Sequence, residues 1–169
     1  MSDGALELPE TIETSRLTLR LLTVDEVRAM TAGRRLAGWH GEFPRDDDVD
    51  AASMVDPGGP APSWGPRAIV TTADGLVIGT IGFLAPPVAG VGVPEAEVGY
   101  GLVPAARNRG LATEALAGLV TATERLSVRL RATVDGENGA SRRVLEKCGF
   151  VAAGPIDDGR LLMRRPLQA

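Results

Sequence analysis

Arg107-Asn108-Arg109-Gly110-Leu111-Ala112 sets glycine and alanine between positive charges where an apolar run gives way to a helix-forming one. A helix opening ordinarily carries Ser, Thr, Asp or Asn, whose oxygen accepts the first free N–H groups. That oxygen is missing here. The first helical turn exposes unpaired N–H groups and carries about half a positive charge, so it receives anions. Gly110 and the small Ala112 let a ligand approach the backbone, Arg107 and Arg109 add charge, and Thr113 offers a hydroxyl. Together they describe a cradle for a diphosphate directly after a strand. The spacing alone describes equally well a plain strand-turn-helix with solvated arginines. No GxxxxGK[ST] occurs and no G-x-G-x-x-G follows a strand, so the other familiar phosphate loops fit poorly.

A second set of residues could move protons. Strand alternation over 95–103 places Glu95, Glu97, Gly99 and Gly101 on one face and Val98, Tyr100 and Leu102 on the other. Glu97 beside two glycines leaves room for an acceptor or a relaying water, which makes it the candidate general base; the plainer alternative is a glutamate paired with an arginine. Further on, Asn138, Ser141 and Leu145 share one helix face, and Asn138 suits an N-cap. Cys148 reads as a packing residue rather than a nucleophile, and Glu114 as a carboxylate favoured by the helix start.

The elements that must hold these groups follow from pattern. Thr14 to Leu22 alternates leucines against Arg16, Thr18 and Arg20, a half-buried strand. Thr23 and Glu26 form a capping box, which predicts a helix from Val24 towards Arg35. From Ala37 to Pro66, two tryptophans, a Pro/Gly cluster and an aspartate run predict loops around a short helix. Arg67 to Leu84 is a hairpin with Asp74-Gly75 in its turn, followed by a Pro/Gly/Val loop. A strand over 95–103, a helix from Leu111 to about Leu126 and a strand from Val128 to Val134 come next. A helix from Ala140 to Cys148 is stopped by Gly149. Two last strands, Phe150 to Ile156 and Arg160 to Pro166, flank an Asp-Asp-Gly turn. This is a mixed α/β sheet in one domain spanning 1–169.

Composition narrows the chemistry. At 169 residues, with 44% hydrophobic and 24% charged residues, the chain falls in the ordinary soluble globular range. No apolar run approaches the roughly 20 residues that span a bilayer, and MSDGALELPE lacks the features of a signal peptide. A cytoplasmic location without membrane association is expected. A net charge of −4 argues against a general nucleic-acid binder. One cysteine excludes an internal disulfide, and one cysteine with one histidine excludes a Cys/His zinc cluster; no metal is expected. A Ser-His-Asp or Cys-His hydrolase would have to use His40 as its base.

Arg107 to Ala112 resembles the (Arg/Gln)-x-x-Gly-x-(Gly/Ala) signature of the GNAT N-acetyltransferases. "IETSRLTLRLLTVDE" from Ile12, "AEVGYGLVP" from Ala96 and "NGASRRVLEKCGF" from Asn138 are similar to the branch typified by the ribosomal-protein N-terminal acetyltransferases RimJ and RimL. The resemblance spans most of the chain in the right order and is weakest from Ala37 to Pro66. It implies the GNAT fold: a mostly antiparallel mixed sheet of about seven strands, splayed between strands 4 and 5, with about four flanking helices. It also implies acetyl-CoA as co-substrate and direct attack by a primary amine while both are bound, in keeping with the lack of an evident nucleophile–base pair.

By the same resemblance, residues Arg107 to Thr113 grip the diphosphate, Leu102 and Val103 lie along the pantetheine arm, and Asn138 and Arg142 approach the co-substrate. A backbone N–H of Leu102 or Val103 would meet the oxyanion. Many relatives protonate the leaving thiolate with a tyrosine at the slot here filled by Leu145; Ser141 is the expected stand-in, as donor or hydrogen-bond partner, against a hydroxyl that bonds back to its own helix.

Trp39, His40 and Phe43 are the expected lining of the acceptor site, with the aspartate run drawing in a cation; the alternative is an acidic solvated loop. A peptide α-amine is roughly 10% neutral at pH 7 and a lysine only about 0.04%, a ratio worth about 3 kcal/mol, so an α-amine asks less of the base. The acceptor is either a protein N-terminus or a small amine. A non-catalytic acyl-CoA sensor of the same fold is the rival, and the resemblance leaves room for a homodimer without fixing an interface.

Overall fold

Leu17 and Leu19 are fully buried while Thr18 and Arg20 are half-buried, so the period-two pattern gives strand β2 (Leu17–Leu21). A short edge strand, β1 (Thr11–Glu13), pairs with it and was not distinguished by pattern. The capping box closes as expected at α1 (Val24–Thr31): Thr23 Oγ1 accepts the Glu26 N–H at 3.1 Å, and Glu26 accepts that of Thr23 at 3.0 Å. The helix stops short of Arg35 because Gly33 turns to φ +70° and the Arg34 N–H folds back onto Ala29 O. The weakly patterned region yields α2 (Asp46–Ser53), entered through Arg45, and a 3₁₀ turn over Pro62–Trp64.

The hairpin β3 (Arg67–Thr71) and β4 (Val77–Phe83) turns at Asp74-Gly75, with Asp74 accepting the Leu76 N–H at 3.1 Å. Next come β5 (Glu95–Leu102), α3 (Leu111–Glu124), β6 (Arg129–Asp135), α4 (Gly139–Lys147), β7 (Val151–Ile156) and β8 (Arg160–Arg165). This computed structural model describes residues 6–56, 62–87 and 92–167; the start of the amino terminus, most of the Pro/Gly cluster near 60 and part of the loop before β5 lie outside them.

The described residues form one sheet of eight strands in the order β1-β2-β3-β4-β5-β6-β8-β7. Every neighbouring pair is antiparallel except β5 with β6, which α3 joins as a crossover. β5 and β6 pair only at Glu95↔Arg129, Ala96↔Leu130 and Glu97↔Arg131. Beyond Glu97, β5 continues along β4 to Leu102 while β6 continues along β8 to Asp135. This is the expected splay, one strand later in the count because of β1.

The helices divide between the two faces. α3 lies over the face of Leu19, where its Gly118 comes close to Leu19, Ile12 and Thr14, and it packs with α4. Leu116, Leu119, Leu130, Ala132 and Leu145 are fully or almost fully buried in the core. On the other face, Arg20 reaches Glu26 of α1 and Asp48 of α2 reaches Thr80 of β4. Among the described residues no helix is long and apolar enough to cross a membrane, and no cluster of three His, Cys, Asp or Glu could hold a metal.

Candidate active site

Among the described residues, the splay leaves backbone donors without a neighbouring strand. Val103 donates to Ile78 O at 2.8 Å, and Leu84 donates to Glu97 O at 3.0 Å. These two bonds fix the parity of the β4–β5 ladder, because antiparallel partners alternate between bonded and non-bonded pairs. Gly99 and Gly101 spend their N–H groups on β4. Tyr100 and Leu102 therefore aim theirs the other way, into the gap where β6 has parted from β5. Of the two candidate oxyanion donors, the Val103 N–H is consumed by β4 and that of Leu102 remains. The Leu102 carbonyl accepts Arg107 Nε at 3.0 Å, so this arginine turns back to brace the end of β5.

At the same mouth of the sheet, α3 begins without a side-chain cap. Asn108 and Gly110 both take left-handed conformations, φ +63° and +76°, which swing the chain sharply into the helix. Glu114 N is the first amide bonded within the helix, to Gly110 O at 3.0 Å. The N–H groups of Leu111, Ala112 and Thr113 meet no acceptor among the described residues. The loop is pinned from a distance that sequence reasoning did not foresee. Arg16 donates from Nη1 to Arg109 O at 3.0 Å and from Nε to Glu114 at 2.8 Å; Glu114 also accepts Thr14 Oγ1 at 2.7 Å and the Arg16 N–H at 2.8 Å. Partial burial pushes the Glu114 carboxyl up, but these donors outweigh it and hold it below its ordinary 4.5. Glu114 is a tether as well as a helix-start charge.

On the helix side of the splay, Tyr100 reaches α4: its hydroxyl lies 2.9 Å from Ser141 Oγ and donates to Ser141 O at 3.1 Å. Burial pushes the Tyr100 phenol above its ordinary 10.0, so it stays protonated at neutral pH. Asn138 caps α4, its Oδ1 accepting the Ser141 N–H at 3.1 Å. Leu145 is fully buried. Arg142 is spent on Glu146 at 2.9 Å along the helix surface. Cys148 sits half-buried with its thiol pushed up by burial, as suits a packing residue.

The opposite face of β5 carries Glu97. It accepts Thr133 Oγ1 at 2.6 Å and lies 3.7 Å from Arg131, so the arginine-paired arrangement is present. Along the same face a cavity of about 530 Å³ opens over Gly99, walled by α2, Trp64, Phe83, Leu84 and Pro86. Trp39, His40 and Phe43 do not line it. Trp39 and Phe43 are buried edge to face in the core, 5.2 Å apart, and the Trp39 indole donates to Glu26. His40 is tied to Val77 O through its N–H and accepts the Glu42 N–H. Their apolar surface satisfies the core. The aspartate run supplies the wall instead, through Asp47 and Asp50 of α2.

Residues 16–151 match the model of the acetyltransferase (GNAT) domain. No curated protein matches the chain in sequence. Among solved structures, an acetyltransferase from Agrobacterium tumefaciens is 27% identical, with 98% of this chain and 99% of that chain covered and a TM-score of 0.64. Two more share the fold. A GNAT-family acetyltransferase from Bacillus anthracis is 20% identical, covering 91% of this chain and 96% of its own at a TM-score of 0.63. Mycobacterium smegmatis RimJ, in complex with CoA-disulfide, is 24% identical, covering 92% and 87% at 0.65.

Proposed function

Because the chain belongs to the GNAT acetyltransferase family, we propose that it moves an acetyl group from acetyl-CoA to a primary amine, both bound together, in the manner of the RimJ/RimL branch. The observation that carries this is the alignment, at one mouth of the sheet, of the open β5–β6 splay with the uncapped start of α3. The free amides of Leu111, Ala112 and Thr113 suit a diphosphate, and the strand beyond Glu97 suits an extended arm. Acetyl-CoA supplies a thioester whose C–S bond is exchanged for a C–N bond with the amine.

The chain's own groups then have separate tasks. The Leu102 N–H faces the gap and can meet the charge that develops on the carbonyl oxygen. Glu97, through a water, takes the proton that the amine sheds on attack. Tyr100 lies on the opposite face of β5 and gives the departing sulfur its proton, with Ser141 holding the phenol in place. Base and acid thus stand on the two sides of one strand, as acceptor and leaving group require. Among the described residues only the oxygen of the Asn138 side chain is used, in the cap, which leaves its N–H₂ for the co-substrate.

Release of free thiol from acetyl-CoA across a panel of primary amines tests the proposal. Amine-dependent release is expected, and mass spectrometry should find the acetyl group on nitrogen. Binding of acetyl-CoA without release for any amine would favour a sensor of the same fold.

A further inference from the structure

The cavity over Gly99 has a chemistry more specific than "amine", and the geometry points to an acceptor with three features: a primary amine, a bulky apolar group, and a neutral carbonyl oxygen that Arg45 receives. That is a hydrophobic α-amino amide, whether a free one or the first residue of a peptide. The inference rests on the transferase reading above and names its substrate class.

The apolar requirement comes from unsatisfied surface. Met54 is 64% exposed and Leu84 50% exposed, and both line this one cavity together with Trp64 and Phe83. Large apolar side chains left open in a concave wall mark where an apolar ligand is buried. Asp47, Asp50 and Met54 lie three and four residues apart, so they share one face of α2 and form one wall: carboxylates at one end, thioether at the other. The wall admits a cation on one side of an apolar body.

Arg45 supplies the third feature. Its Nε and Nη2 are locked on Asp48 at 3.1 and 2.7 Å. That carboxylate is fully buried and also holds Thr80 Oγ1 at 2.6 Å and the Arg45 N–H at 2.9 Å. The guanidinium lies flat over Gly101, where a Cβ would overlap it. Its Nη1 donates no hydrogen bond among the described residues; only Asp47 approaches, at 3.8 Å. The result is a rigid donor, four-fifths buried, on a cavity wall. Asp48 already balances its charge, and the α2 carboxylates that share the wall, Asp47 and Asp50, are acidic too. A free carboxylate would meet net repulsion there, whereas a neutral carbonyl would not. From Gly99 to Gly101 is one two-residue step of β5, about 7 Å. An amine and carbonyl on one carbon, plus a hydrogen bond of about 2.9 Å, cover that span.

The test uses the full chain and acetyl-CoA, with thiol release measured for leucinamide, leucine, 3-methylbutylamine, glycinamide and a tripeptide beginning with leucine. With kcat/KM expressed per neutral amine, since the α-amine of leucinamide is far less basic than the amines of leucine and 3-methylbutylamine, leucinamide should exceed leucine, 3-methylbutylamine and glycinamide, each by about tenfold or more, and the comparisons below use the same basis. Arg45→Lys keeps a cation beside Asp48 but removes Nη1; its loss should be about tenfold greater on leucinamide than on 3-methylbutylamine, mostly in KM. Met54→Asp, at an exposed wall position, should cost leucinamide more than glycinamide. A tripeptide equal to or better than leucinamide supports the class and identifies a polypeptide source, and a poorer one supports it with a small-molecule source. Leucine or 3-methylbutylamine matching leucinamide overturns the inference while leaving the transferase intact. No release with any amine, despite acetyl-CoA binding in calorimetry, overturns the transferase reading and this class with it.

Discussion

Replacing Tyr100 with phenylalanine removes one oxygen from the splay and leaves the ring to pack. Its phenol is pushed up by burial, so at neutral pH the group is a proton donor in waiting rather than a phenolate. A positioned acid commonly contributes about 100-fold or more, so Tyr100→Phe should lower kcat by roughly that factor with little change in acetyl-CoA affinity. Ser141→Ala should lower it less, because the phenol keeps its bond to the Ser141 carbonyl. Stopped-flow turnover beside calorimetric binding checks both; equal kcat in wild type and Tyr100→Phe would remove the phenol from the chemistry. Asn138, Ser141 and Glu97 could be picked out from local spacing, since a cap and a strand face are local facts. The bond between Tyr100 and Ser141 could not, because it spans the splay between residues 41 apart. Trp39 and Phe43 misled for a related reason: an aromatic side chain in an irregular segment has the same signature whether it lines a cavity or fills the core.

At the scale of elements, the start of α3 is a short segment whose shape is imposed by another strand's connection. Gly110 could be foreseen as a glycine of special use, and the structure gives it a left-handed conformation at φ +76°. The clamp could not, since Arg16 meets Arg109 across 93 residues of chain. Arg16→Ala should release the Arg109 carbonyl and one side of Glu114, letting the uncapped amides drift. Acetyl-CoA should then bind about tenfold more weakly, near 1.4 kcal/mol, while kcat at saturation changes little. Titration calorimetry checks it; an unchanged dissociation constant would make the clamp an ornament of the surface. The short α2 was foreseen as a helix amid loops and its aspartates as either a lure for a cation or a solvated loop; pattern could not choose between the two, because an aspartate run looks alike on a solvated face and on a cavity wall.

For the molecule as a whole, each acceptor-side helix is fixed to the sheet through a buried carboxylate, α2 through Asp48 and α1 through Glu26. Glu26 is 4% exposed and collects Arg20 from β2 at 2.6 Å, the Thr23 N–H that opens α1, and the Trp39 indole from the segment beside β4. Burial pushes its carboxyl up, yet Arg20, the Thr23 amide and Trp39 together outweigh burial and hold it below the ordinary 4.5. A carboxyl whose folded value lies below its unfolded value contributes stability above the unfolded value, and that contribution is lost as pH falls through the folded one. Glu26→Gln keeps the shape and removes the charge. Hydrogen bonds to a charged group are worth about 2 kcal/mol, so at pH 7 the variant should melt about 4–8 °C lower in a domain of this size. Below pH 4 the gap should close, because the wild-type carboxyl is itself taking up a proton. Melting curves from pH 3 to pH 7 decide it: a gap that stays constant with pH would assign the loss to shape alone, and no gap at pH 7 would show that α1 is held by its apolar face rather than by this charge.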